Sequence, residues 1–303
     1  MRARTRRLLR RSLLALSLLI VLAIAGTIYA NRFTDPRNAQ IAAQRGCPGC
    51  DLTDLRLWLA DLKGHDFAGA DLSGASLWWS DLRDADLRGA TLKGTSLWWA
   101  DLSGARLDGA NLKSARLGRA LAVKLEAPGA VLSNVEAAGI NLTGAVLKGA
   151  VLDWANLRQA VLDGADLSGA DLTQTNLFRG SLDKARFVRA RLTRANLTGV
   201  TMREADLAEA DLGETAVNES DLRGSRFPGA RLQGAQMPAA QLQQADLRNA
   251  DLREAQLWQA DVTRADLRGA DLSSTGLNEV DLSTVRLCRT RLPADLGNGD
   301  RDC

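Results

Sequence analysis

Four cysteines are the residues of this chain best suited to chemistry, and they lie near its two ends. Cys47 and Cys50 stand in GCPGC, and Cys288 and Cys303 follow far downstream. A CxxC pair can cycle between dithiol and disulfide, or it can supply half of a four-cysteine zinc site. A thioredoxin-like redox protein would carry the pair in a βαβ pattern, and none surrounds it. His65 is the single histidine, so there is no histidine cluster to hold a metal. It occupies a repeat position expected to face inward, where packing or capping is its expected role. The many Asp sit at the acidic position of the repeat, so their frequency is structural. No glycine-rich phosphate loop follows a strand, and no nucleophile elbow appears. The chain reads as a non-enzyme, without cofactor, metal or small-molecule substrate.

The elements that position these residues follow from a period of five. From Leu52 to Leu292 every fifth residue is apolar, with 39 Leu, three Phe, two Met, two Val and three Ala. Two residues before each stands a small one, usually Ala, as in GADLSGADL. Five is neither the 3.6 of a helix nor the 2 of a strand. A short extended piece followed by a tight turn accounts for it. Ala and Leu, two apart, point the same way, and the three polar positions point outward or form the corner. Length alone would suggest one or two globular domains, but a repeat array grows without a central core.

The motif A-(D/N)-L-x-x, sustained over about four fifths of the chain, resembles the pentapeptide-repeat family. The resemblance implies an all-β fold: a right-handed quadrilateral β-helix, or solenoid, over residues 51–292. Four pentapeptides then make one coil, so equivalent places recur every twenty positions. RLWLADL, SLWWSDL and SLWWADL keep that interval, beginning at Arg56, Ser76 and Ser96. On that count Trp58, Trp78 and Trp98 lie one above another, and Trp79 and Trp99 form an adjoining pair. Phe178 and Trp258 fall on the same face, many coils on. Phe67, Phe187 and Phe227 share one inner wall. Twelve coils about 4.8 Å apart make a rod about 58 Å long. Its exposed ends need caps, expected in 32–50 and 293–303. Such a rod separates the cysteine pairs, which argues against a joint zinc site. Two structural disulfides follow, Cys47–Cys50 and Cys288–Cys303, one in each cap.

Charge supports the four-pentapeptide coil separately. Lys184, Arg186, Arg189, Arg191 and Arg194 each meet an acid at the equivalent place one coil later: Glu204, Asp206, Glu209, Asp211 and Glu214. Longer ladders run Asp166, Arg186, Asp206, Arg226, Asp246 and Asp171, Arg191, Asp211, Arg231, Asp251. Alternating sign between stacked neighbours is what cross-strand pairing favours. This basic stretch is therefore expected to be neutralised by adjacent coils, and nucleic acid is not an expected partner. The pattern weakens in LAVKLEAPGAVLSNVEAAG, where Ala122, Ala127 and Ala137 replace core Leu. Leu-sized gaps cost a few kcal/mol each unless the walls move in. Outward residues turn apolar nearby, with Val131, Val151 and Trp154 as neighbours. A narrowed or bulged coil and a docking patch are both open readings.

The N-terminus is of another kind. Residues 1–11 hold six arginines, and 12–31 carry no charge. A stretch of that length just spans a bilayer as a helix, and the flanking arginines keep the N-terminus cytoplasmic. A transmembrane anchor and a signal peptide cleaved after Ala23–Ala25 both remain open. Either places the body outside the cytoplasm: in the periplasm on a single-pass inner-membrane anchor, or periplasmic or secreted after cleavage. Removing the nine Arg and one Asp of residues 1–50 leaves 30 basic and 35 acidic residues, a net charge of −5 for the body.

The leading expectation is a membrane-anchored extracytoplasmic rod, a non-enzymatic interaction or scaffolding module whose partner is a protein or envelope component. The tryptophans are its most distinctive surface, read either as mutual stacking that stiffens the first coils or as a partner site. Some pentapeptide-repeat proteins mimic DNA and act on DNA gyrase, so the resemblance also implies that alternative. A CxxC thiol redox protein is the third.

Overall fold

The computed structural model describes residues 37, 41, 44–297 and 303. The anchor or signal expected in 12–31 lies outside them. Among the described residues no helix is long and apolar enough to cross a membrane.

The unit Asp71–Ala75 shows how five residues make one side of a coil. The Asp71 N–H donates to Cys50 O in the coil below, while Leu72 and Gly74 donate to Thr91 O and Lys93 O above. Ala75 N–H closes the corner on Leu72 O at 3.0 Å. That leaves Ser73 N–H, which donates to the Asp71 Oδ1 at 2.9 Å. All five amides are bonded, as a wall with one sealed face requires. The Asp or Asn of the motif thus supplies the acceptor that the ladder lacks at the first corner residue. The same bond recurs at Asp101, Asn141 and Asp271.

Each unit pairs in parallel with the equivalent unit of the next coil, from Gly46↔Asp66 to Asp271↔Arg291. The pairings fall in four columns, so the coil has four sides. The first rung, at Gly46, lies within the segment read as the N-terminal cap. The second corner residue has positive φ at every fifth position from Gly49 to Glu279. A left-handed residue there is the mark of a type II turn. Gly takes many of these places and Val, Ile and Thr take none, because a β-branched side chain suits that conformation worst.

Leu and Ala fill the interior, and Phe67, Phe187 and Phe227 are its largest buried side chains. Their neighbours Asp66, Arg186 and Arg226 lie in one column of pairings, so the three share a wall. Where Thr replaces the inward Ala, its hydroxyl donates to a backbone carbonyl: Thr95 to Leu72 O and Thr175 to Leu152 O of the coil below, both at 2.7 Å, and Thr215 to Leu212 O of its own unit.

The Leu-sized gaps expected at Ala122, Ala127 and Ala137 are absent. Leu125–Glu126–Ala127 and Val135–Glu136–Ala137 invert the order, placing the large inward residue first. Ile140 and Leu142 are both large, one coil above the small Ala120 and Ala122. All of these side chains are buried, and the pairings continue regularly through the coil. What remains is a void of about 20 Å³, lined by Leu117, Leu125, Ala137, Ile140 and other apolar side chains. A water would fit by volume but would find no polar partner. His65 is half-buried rather than turned inward. Its ring lies along Phe67, with centroids 6.0 Å apart, and its Nδ1 is 3.2 Å from Lys63 O. Cys47 is bonded to Cys50 and Cys288 to Cys303, one disulfide near each end of the ladder.

Candidate interaction surface

One corner of the solenoid carries the tryptophans. Trp58, Trp78 and Trp98 take its first corner position on successive coils, and Trp79 and Trp99 take the second, left-handed one. Fixed backbone places Trp79 and Trp99 in register: their rings are parallel within 1° and 4.9 Å apart. The Arg119 guanidinium lies over Trp99 at 5.1 Å and extends the stack by one coil. Trp58 and Trp78 also stack, at 5.9 Å and 16°, and the Trp78 Nε1–H donates to Ser96 Oγ.

Trp98 departs from the expected three-ring ladder. It packs over Gly118, where a Cβ would come within 3.0 Å of its ring. The missing side chain at position 118 admits the ring, and the stack therefore stops at two. An open groove of about 530 Å³ results, lined by Trp78, Trp79, Trp98, Trp99, Arg116 and Glu136. Trp79 is 56% exposed, Trp78 44%, and Trp98 and Trp99 40% each. Exposure of this order on large apolar rings is what a partner surface presents.

The second apolar patch is less developed. Val131 and Val151 pair in the ladder and are half-buried, while Trp154, at a left-handed corner, is 59% exposed.

The basic stretch 184–194 is neutralised by its neighbouring coils. Lys184, Arg189 and Arg194 meet Glu204, Glu209 and Glu214 at 3.7, 2.7 and 2.9 Å. Of their two neighbours in the ladders, Arg186 and Arg191 pair with the ones below, Asp166 and Asp171, at 3.7 and 3.4 Å. The reason lies in the corner: Asp166 and Asp171 commit Oδ1 to the amides of Ser168 and Thr173, leaving Oδ2 for the following coil. A further set was not read from the sequence. In Asp-Leu-Arg units the arginine folds back on the aspartate two residues earlier, as Arg83 does on Asp81 and Arg253 on Asp251. These guanidiniums, with burial opposing them, hold Asp81, Asp221, Asp246 and Asp251 below the usual carboxylate range. The spacing of two residues was the signal. Among the described residues no group of three or more His, Cys, Asp or Glu is placed to hold a metal.

Four sides, an Asx-capped corner and a five-residue unit define a class of protein as well as a shape. The family model for pentapeptide repeats matches residues 50–119, 129–179 and 185–287 in overlapping stretches, and the chain belongs to that family. Its members fold as right-handed quadrilateral β-helices. The unmatched residues 120–128 include the first inverted unit. Among solved structures, the chain is similar to HetL, a pentapeptide repeat protein involved in heterocyst differentiation regulation from the cyanobacterium Nostoc. Identity there is 28%, over 82% of this chain and 93% of that one, with a TM-score of 0.32. It is also similar to QnrB1, a plasmid-mediated fluoroquinolone resistance protein, at 18% identity over 58% and 88%, TM-score 0.41. A pentapeptide repeat protein of the Arabidopsis thaliana thylakoid lumen shows 24% identity over 33% and 70%, TM-score 0.32. No curated protein matches significantly.

Proposed function

We propose that this chain is a membrane-tethered rod of the bacterial inner membrane, standing outside the cytoplasm, and that its tryptophan corner is a non-enzymatic partner site. The observation that carries this reading is the groove: four exposed indoles, two of them held parallel, beside Arg116 and Glu136. Trp and Arg are the residues most enriched where partners bind tightly. The tether rests on the sequence of residues 1–31, and two disulfides with no free cysteine accord with an oxidising compartment. Most charges along the rod pair, and the unpaired ones on the tryptophan corner are cationic, which does not favour a DNA mimic.

The test has two arms. A reporter active only in the periplasm, fused after Cys303, is expected to work; activity of a cytoplasm-only reporter there would reverse the topology. A photo-crosslinking residue placed at Trp99 is expected to trap a partner in cells, whereas one at Arg231, on another side of the coil, is not. Equal trapping at both positions, or none, would remove the corner as the partner site.

A further inference from the structure

The same corner continues beyond the tryptophans as a row of unneutralised arginines. Its outward positions from Arg56 to Arg179 hold five arginines and one acid, Glu136, on a body whose net charge is negative. Glu136 already accepts from Asn156 Nδ2 at 2.8 Å. Most other arginines of the body lie on a carboxylate of their own or an adjacent coil. Among the described residues Arg56, Arg116, Arg119, Arg158 and Arg179 make no ion pair. Three of them sit on aromatic rings instead: Arg119 over Trp99 at 5.1 Å, and Arg158 and Arg179 over Phe178 at 4.7 and 5.0 Å. A guanidinium held by a ring loses side-chain freedom but keeps its in-plane donors for an anion. The corner therefore presents a pre-ordered comb of cations, at levels separated by about 10 Å and then about 5 Å.

We infer that the corner binds a linear polysaccharide of carboxylated sugars. This rests on the corner being the partner site, and it names the chemistry of that partner. The side of the solenoid has no open strand edge, because its amides and carbonyls bond to the coils above and below. An extended peptide thus cannot add itself as a strand, and recognition must pass through side chains. Carboxylates at regular intervals match the guanidinium comb, which takes them bidentately. The apolar face of a sugar ring packs on Trp98, whose ring covers Gly118 and, among the described residues, stacks on no other ring or guanidinium. Single-stranded nucleic acid needs a series of open ring faces. Here Trp79 and Trp99 cover each other, and Phe178 is covered by two arginines.

The test uses the full chain in non-ionic detergent, titrated with polygalacturonate, dextran, poly-L-glutamate and oligo(dT). Polygalacturonate is expected to bind, more weakly as salt rises, and dextran is not. Arg119→Gln, Arg179→Gln and Trp98→Ala should each weaken binding by about tenfold; Arg231→Gln, on another side, should leave it unchanged. Circular dichroism identical to the parent separates lost binding from lost fold. Tighter binding of oligo(dT), or equal binding of poly-L-glutamate, would overturn the sugar chemistry. So would no binding of any polymer while crosslinking at Trp99 persists in cells; loss of both would remove the corner reading itself.

Discussion

Replacing Leu125 by Ala strips the unit Leu125–Glu126–Ala127 of its one large inward side chain. Leu125 is buried and borders the void of about 20 Å³. Losing three carbons forfeits about 2.4 kcal/mol of transfer free energy. The new space joins the existing void, and the cavity term brings the loss to about 3–4 kcal/mol. In a solenoid that loss stays near its site, so amide exchange is the assay. Opening of the surrounding coil should become several hundredfold more frequent, about 160- to 900-fold, read at Ala127 N–H, which donates to Val146 O. Ala127→Leu alone adds bulk to a filled unit and should cost about 1–3 kcal/mol. The double substitution restores the usual Ala-x-Leu order and should come within about 1 kcal/mol of the parent. The two changes must then couple by several kcal/mol. Additive costs in the double variant would mean that inverted order does not fill this coil, and the account of the missing gaps would fail.

The corner geometry gives a second expectation. A Cβ at Gly69 meets nothing within 4 Å, so Gly69→Ala should cost about 1 kcal/mol through φ alone, and Gly69→Val more; equal thermal stability of all three would count against the left-handed corner. Arg186 should couple to Asp166 by about 0.2–1 kcal/mol in a double-mutant cycle and less to Asp206, and the reverse ranking would contradict the Oδ2 argument. Because arginine contacts lower the folded pKa of Asp81, Asp246 and Asp251, their contribution is full above the unfolded value of about 3.9. It is lost as pH falls through the lowered folded values. Denaturant midpoints should thus be flat from about pH 8 to 5 and drop below about 4; a drop centred near pH 6 would implicate other groups.

The four-sided coil was legible because one spacing governs it: Leu at every fifth place and tryptophans at every twentieth leave little freedom. What stayed hidden depends on which way side chains lean. Arg186 could be placed beside both Asp166 and Asp206, but only the Asx bond of Asp166 decides between them. Trp98 looked like a third ladder rung, although Gly118 one coil on was the available sign that it would lie down. Leu125, Val135 and Ile140 stood in plain view beside the three alanines. Only packing shows that they compensate, since position in the motif says nothing of filled volume.

The left-handed corner at every fifth residue makes azimuth and height along the rod separate quantities. Insertion or deletion of a full coil changes only height, so the tryptophans and the Arg158–Phe178–Arg179 cluster stay on one meridian. A change of one pentapeptide between them would rotate everything distal by a quarter turn and break that meridian with every amide still bonded. A single-residue change would instead put the wrong residue at each later corner. The chain is thus a ruler graduated in twenties, which can vary in reach while holding its bearing.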